Sequence, residues 1–283
     1  MSLAEAPIAT KGPIAANAAP ALLELANVSK HFGGFVAVND VSLRFAGKSI
    51  YGIIGPNGAG KTTLFNLLSG VLKPTHGRML HRGADITGMP AQTIARRGIV
   101  RSFQITSIFS NLTIAENLAL PIQRREGGGT RFWARNRWRE QHGAEIDELL
   151  DQVGIQRDWQ DRRASSLPYG LKRSLELGIS LAARPELLLL DEPTAGMSLQ
   201  DIGRITDLIR RIAAGRMVIV VEHNLGVISD LAEEIVVMQQ GKVLTIGAYE
   251  DVRRDPRVIA AYLGGGGSSL SRAGATGLPA RSP

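Results

Sequence analysis

Gly55-Pro56-Asn57-Gly58-Ala59-Gly60-Lys61-Thr62-Thr63 is the stretch around which the chain is organised. It fits the phosphate-binding pattern G-x-x-x-x-G-K-[ST], closed by Gly55, Gly60, Lys61 and Thr62. The run Lys48–Ile54 before it is apolar and β-branched, as a buried strand is, and Thr62–Ser69 after it reads as a helix start. Strand, glycine loop and helix are the context the pattern needs. Backbone N–H groups of such a loop converge on phosphate oxygens, and the helix N-terminus adds positive potential. Lys61 is expected to reach the β/γ-phosphates as a point charge, and the Thr62 hydroxyl to ligate Mg²⁺. The stretch predicts nucleotide binding.

A chain of 283 residues holds one large α/β domain or two small ones. The 44% hydrophobic content is that of a globular protein, and no run approaches the length of a membrane-spanning helix. Met1–Pro20 is rich in Ala and Pro and lacks the basic-then-apolar order of a signal peptide. The absence of cysteine excludes disulfides and thiolate metal sites. A net charge of +7 points to an acidic partner such as nucleotide, nucleic acid or anionic lipid. Six arginines fall between Arg124 and Arg139, interleaved with Phe132, Trp133 and Trp138. They form either a lipid-headgroup or nucleic-acid patch or, the blander reading, the solvated face of an insertion.

Residues 1–20 and the Gly/Ser-rich tail from Gly264 to Pro283 are expected to be disordered. Alternation through Leu23–Ser29 and Val36–Phe45 predicts antiparallel strands joined by a turn over Lys30–Gly34. Arg78–His81 reads as a short strand. Thr113-Ile-Ala-Glu116 has the spacing of a capping box and predicts a helix start. Ser165 and Ser166 precede a helix with Leu171, Leu175, Ile179 and Ala182 on one face. The continuous apolar runs Glu186–Leu190 and Met217–Val221 are signatures of central parallel strands buried on both faces. They end in Asp191-Glu192 and Glu222-His223, where parallel strands open onto a ligand crevice. Of the adjacent carboxylates Asp191 and Glu192, one can hold Mg²⁺ and the next can orient and polarise attacking water. His223 has the same placement on the second strand. Gln104 lies at a strand end before a loop.

The order of these motifs resembles the ATP-binding subunit of ABC transporters over roughly residues 22–263. The resemblance implies an α/β P-loop NTPase of ABC type. Its mixed β-sheet core would carry an antiparallel β subdomain and a helical subdomain near residues 105–185. Gly55–Thr62 matches the Walker A segment, and Leu187–Asp191 the Walker B strand, with Glu192 as catalytic glutamate. Gln104 matches the Q-loop, whose glutamine joins Thr62 and Asp191 around Mg²⁺. His223 matches the switch histidine, Phe32 the aromatic that stacks on adenine, and Pro168, Tyr169, Gly170 and Leu171 the signature that faces a partner's ATP. The closer resemblance is to the branched-chain amino-acid uptake subfamily, carried by phrases such as Arg101-Ser-Phe-Gln-Ile105, Leu167-Pro-Tyr-Gly170, Asp191-Glu-Pro-Thr-Ala-Gly-Met197 and Asp255–Leu263. The same phrases resemble relatives that import urea or short amides.

Two departures from the family pattern stand out. The signature lacks its serine, first glycine and glutamine, carrying Pro168, Tyr169 and Leu171 instead. Ala195-Gly-Met-Ser198 lacks the aspartate usual in the D-loop. Both concern contacts across a dimer. The resemblance implies a head-to-tail pair with a second ATP-binding subunit and two membrane permease subunits contacted around Gln104–Asn111. A periplasmic solute-binding protein would take part indirectly, and the chain would sit peripherally at the cytoplasmic face of the inner membrane. A soluble ABC-type ATPase acting on nucleic acid is the rival reading. It usually carries coiled coils or two ATPase units, and neither is encoded, so no nucleic-acid partner is expected.

Overall fold

The computed structural model describes residues 20–47, 50–102, 108–127 and 135–263, without the side chains of 135–141 and 263. Both tails read as disordered, Lys48 and Ser49 of the predicted strand, Gln104, and the aromatic heart of the arginine-rich segment lie outside the described residues.

A six-stranded sheet forms the centre, in the order β10-β9-β3-β8-β7-β6. Its strands are β3 (Ile50–Ile54), β6 (Ile99–Ser102), β7 (Leu187–Asp191), β8 (Met217–Val221), β9 (Glu234–Gln239) and β10 (Lys242–Gly247). All neighbours pair in parallel except β9 and β10, which form an antiparallel hairpin. The apolar runs are explained by the pleat, since successive side chains point to opposite faces. Leu188, Leu190, Val218 and Val220 enter one core, which they share with the helices. Leu187, Leu189, Met217, Ile219 and Val221 enter the other, which lies against the second sheet. Leu187 to Leu190 are all fully buried, and each such leucine contributes roughly 1.5–3 kcal/mol.

The second sheet is antiparallel, in the order β2-β1-β4-β5, from β1 (Ala21–Phe32), β2 (Phe35–Ala46), β4 (His76–His81) and β5 (Ala84–Asp85). Its strands outrun the sequence expectation. The predicted turn Lys30–Gly34 shrinks to Gly33-Gly34, because Lys30, His31 and Phe32 pair with β2 although they carry no apolar alternation. Likewise β4 begins at His76, two residues ahead of the predicted Arg78.

The helical part holds α3 (Ile114–Arg125), α4 (Arg135–Val153) and α5 (Tyr169–Ala182). Thr113 caps α3 in the predicted box, accepting from Glu116 N–H at 3.1 Å while its own N–H donates to the Glu116 carboxylate at 2.8 Å. Gly178 lets the helices close: a Cβ there would lie 3.0 Å from Leu118 Cδ2. Arg125 grips Glu145 through two hydrogen bonds of 2.7 and 2.9 Å, and His142 Nε2 lies 3.2 Å from Glu126. These bonds tie α3 to α4 at the root of the arginine-rich insertion. No helix among the described residues is long and apolar enough to cross a membrane.

Candidate active site

Residues 55–63 form the turn from β3 into α1 (Lys61–Leu68). Two glycines there are obligatory. Gly60, at φ +97, carries α1 without a side-chain cap, and a Cβ would lie 2.4 Å from the Ala37 carbonyl oxygen. A Cβ on Gly55 would lie 2.2 Å from the Met238 carbonyl oxygen. The loop is thus wedged between β2 and the β9–β10 turn, where Gly241 N–H donates to Ala59 O at 3.0 Å. Lys61 is buried and donates Nζ to the carbonyls of Gly55 at 2.7 Å and Pro56 at 3.0 Å. Its chain therefore arches over the loop. Burial pulls the Lys61 ammonium below its ordinary pKa, and the nearby Glu192 charge opposes that shift. Thr62 beside it is exposed. From the far side, α9 (Pro256–Leu263) brings Tyr262 to a backbone hydrogen bond with Gly55. Burial pushes that phenol up to about 12.

Because β8 lies between β3 and β7, the ends of all three strands meet beside the loop. Asp191 ends β7 and Glu192 follows it at φ +46, its N–H donating to Val221 O at 2.8 Å. A non-glycine residue in the left-handed region is strained, and such strain gathers at functional turns. The Glu192 carboxylate faces His223, with Nε2 2.7 Å from Oε1. The two residues singled out separately in the sequence are therefore a contact pair.

Two further residues organise the site, and sequence reasoning gave neither a role. Glu222 is buried; its Oε1 accepts from Thr194 N–H at 2.9 Å and Thr194 Oγ1 at 2.5 Å, and its Oε2 accepts from His223 N–H at 3.0 Å. It thereby fixes the turn after Glu192 to the turn bearing His223. The signal for it was a carboxylate ending a wholly apolar strand. Arg101, on β6, donates Nη2 to Asp191 Oδ2 at 2.5 Å and Nη1 to Asn66 Oδ1 at 2.6 Å. The buried Asp191 is thus bonded to an arginine that also holds α1.

Phe32 and the signature residues take no part in the bonds of the phosphate loop, Asp191 and His223. Phe32 stands exposed at the β1–β2 hairpin tip, with Lys30 Nζ 5.2 Å from its ring centre. Pro168 is the N-cap of α5 and offers no side-chain bond; Tyr169 and Gly170 open the helix, and Leu171 turns toward the helical core. Ser166 donates its hydroxyl to Arg163 O at 2.7 Å.

The sequence profile of the ABC transporter family matches residues 38–195, and that of the branched-chain amino acid ATP-binding cassette transporter matches residues 242–268. The high-affinity branched-chain amino acid transport ATP-binding protein LivG of Escherichia coli is 36% identical over 250 residues, covering 86% of this chain and 98% of LivG. BraF of Pseudomonas aeruginosa, described in the same words, is 36% identical over 252 residues, with the same coverage of each chain. The crystal structure of the ADP conformation of MJ1267, an ATP-binding cassette of an ABC transporter, superposes with a TM-score of 0.74 at 28% identity, covering 86% of this chain and 99% of that one. With a phosphate loop, two carboxylates and a histidine following the ends of three adjacent inner strands, this chain belongs to the ABC transporter family as a nucleotide-binding ATPase cassette.

Proposed function

We propose that this cassette hydrolyses ATP to drive an importer of branched-chain amino acids or related small polar solutes. The observation that carries the chemistry is the Glu192–His223 pair at the strand ends beside the Lys61 loop. The solute class is supported by the LivG and BraF relatives and by the C-terminal profile match.

The loop amides from Gly58 to Thr63 cradle phosphate oxygens, and Lys61 exchanges the carbonyls of Gly55 and Pro56 for the β/γ-phosphates. Phe32 receives the adenine ring. Thr62 Oγ1 and the Asp191 carboxylate are hard oxygen donors, the kind Mg²⁺ takes; Gln104 is proposed as a third. When bound, that ion neutralises charge on the phosphate oxygens. Glu192 orients the attacking water and accepts its proton as general base. His223 holds the Glu192 carboxylate in this conformation, and it turns to the γ-phosphate once nucleotide and partner close over the site.

Pro168–Leu171 face the nucleotide of a second ATP-binding subunit, and two permeases dock near Phe109, which is exposed. The chain works at the cytoplasmic face of the membrane. Uptake of labelled leucine, isoleucine and valine in cells lacking the gene, with and without the restored chain, tests the solute. Loss of urea or short-amide uptake with branched-chain uptake intact would overturn it.

The altered signature predicts unequal sites when the partner is a different subunit with an unaltered signature. Pro168 supplies neither hydroxyl nor N–H, and the Ser166 hydroxyl is committed to Arg163. One lost hydrogen bond to a charged group is worth about 1.5–3 kcal/mol, or roughly ten- to 150-fold. The site that borrows this chain's signature is expected to turn over slower by that factor. Disabling each subunit's catalytic glutamate in turn and comparing residual transport checks it: Glu192→Gln should cost far more, and equal losses would refute the asymmetry.

A further inference from the structure

Within this one chain, the start of α5 is bonded to the turn that follows Glu192. Tyr169 donates its hydroxyl to the carbonyl of Ala195 at 3.1 Å. Ala195 N–H in turn donates to the carbonyl of Glu192 at 3.1 Å. A single backbone turn therefore separates the tyrosine hydroxyl from Glu192. Gly196, at φ +73, completes that turn, and a Cβ on it would stand 3.7 Å from Tyr169 Oη. The tyrosine is itself braced. Arg173, one helical turn along α5, reaches back with Nη2 3.4 Å from Tyr169 Oη and its guanidinium 5.8 Å from the ring centre. The other end of that guanidinium is fixed by the buried Glu176, with Nη1 2.8 Å from Oε2.

A second contact runs beside the first. The helix α6 (Leu199–Ala213) is capped by Ser198, and its Asp201 packs on Gly170 so closely that a Cβ there would lie 2.8 Å from Oδ1. Glycine at 170 thus serves close approach within the chain. The N-termini of α5 and α6 abut, and the turn after Glu192 is caught between them.

We infer that Tyr169 is a positioning residue for hydrolysis: its hydroxyl holds the 192–196 turn, and with it the Glu192 carboxylate, in register with the start of α5. The inference rests on the reading that α5 faces a partner's nucleotide, because a pull on α5 from that nucleotide then reaches this chain's own Glu192. The tyrosine replaces a signature glycine, and the turn lacks the usual aspartate. The clasp supplies a link that those two groups do not.

Tyr169→Phe removes the hydroxyl and keeps the ring. In the assembled transporter kcat is expected to fall about three- to tenfold, the worth of one neutral hydrogen bond, with the KM for ATP within about twofold. In the isolated chain, amide exchange at residues 194–197 is expected to quicken by a similar factor, with exchange in the body of α5 and the melting temperature unchanged. Arg173→Lys, which keeps a positive charge beside the buried Glu176 and gives up the fork that reaches the tyrosine, should act in the same direction, and the double substitution should add little, because Arg173 works through the tyrosine. An unchanged kcat with unchanged exchange overturns the inference. So does a general rise in exchange throughout α5 with a lowered melting temperature, or strictly additive losses. The exchange arm needs no partner. Altered exchange at 194–197 without any change in kcat would retain the clasp, but it would refute the partner-facing reading and with it the positioning role.

Discussion

Protein carrying Glu192→Gln is expected to bind Mg-ATP within about twofold of the parent and to hydrolyse it at least a hundredfold more slowly, the scale of a lost general base. The substitution is chosen for the backbone: residue 192 sits at φ +46, and glutamine occupies that conformation with the same side-chain length. The amide oxygen still accepts from His223 Nε2, so the 2.7 Å contact survives. What disappears is the negative charge that polarises water and takes its proton. Lys61, the loop amides and the proposed Mg²⁺ donors are untouched, which is why affinity should hold. Equilibrium ATP binding and steady-state phosphate release on the assembled complex decide it. Hydrolysis within about threefold of the parent, less than about 1 kcal/mol of barrier, would remove Glu192 from the reaction.

Much of this site was legible because its motifs are local. The phosphate loop, the capping box at Thr113 and the leucine run of β7 each depend on residues within a few positions of one another. The sheet's alternation between two cores also shows in the sequence, because strands buried on both faces lack polar gaps. Pairings between motifs were not legible. Glu192 meets His223 only because β8 sits beside β7, and Arg101 meets Asp191 only because β6 takes the outer place in a strand order that does not follow the chain. Glu222 was masked by its neighbour: a histidine at a strand end drew the functional reading, while the adjacent carboxylate does the bracing through Thr194. The hairpin over Lys30–Phe32 was missed for the opposite reason. Those residues pair at an exposed tip, where the ladder is closed by backbone bonds and needs no apolar alternation.

Arg101→Met is expected to produce the largest loss of stability, about 3–5 kcal/mol and a melting temperature lower by on the order of 10 °C. Arg101 and Asp191 are 10% and 4% exposed at the side chain, so the pair is buried and little screened. Methionine fills much of the volume but leaves Asp191 an uncompensated buried charge, which is the costly half of breaking such a pair. Adding Asp191→Asn to Arg101→Met should recover most of the loss, since neither charge then remains. A surface pair would cost less than about 1 kcal/mol, and urea unfolding of the three proteins separates the cases: a cost that small, or no recovery in the double variant, would show that the contact is incidental. The same arginine bonds Asn66, on the helix that begins with Lys61 and Thr62. It thus ties Asp191 to the helix that carries Thr62, the two being proposed Mg²⁺ donors, and outer-shell partners of this kind are typically worth roughly ten- to a hundredfold in metal affinity. ATP affinity measured with Mg²⁺ should therefore fall by about that factor in Arg101→Met, while affinity measured in chelator stays close to the parent. A uniform fall under both conditions would assign Arg101 to the phosphate loop and not to the proposed Mg²⁺ donor Asp191.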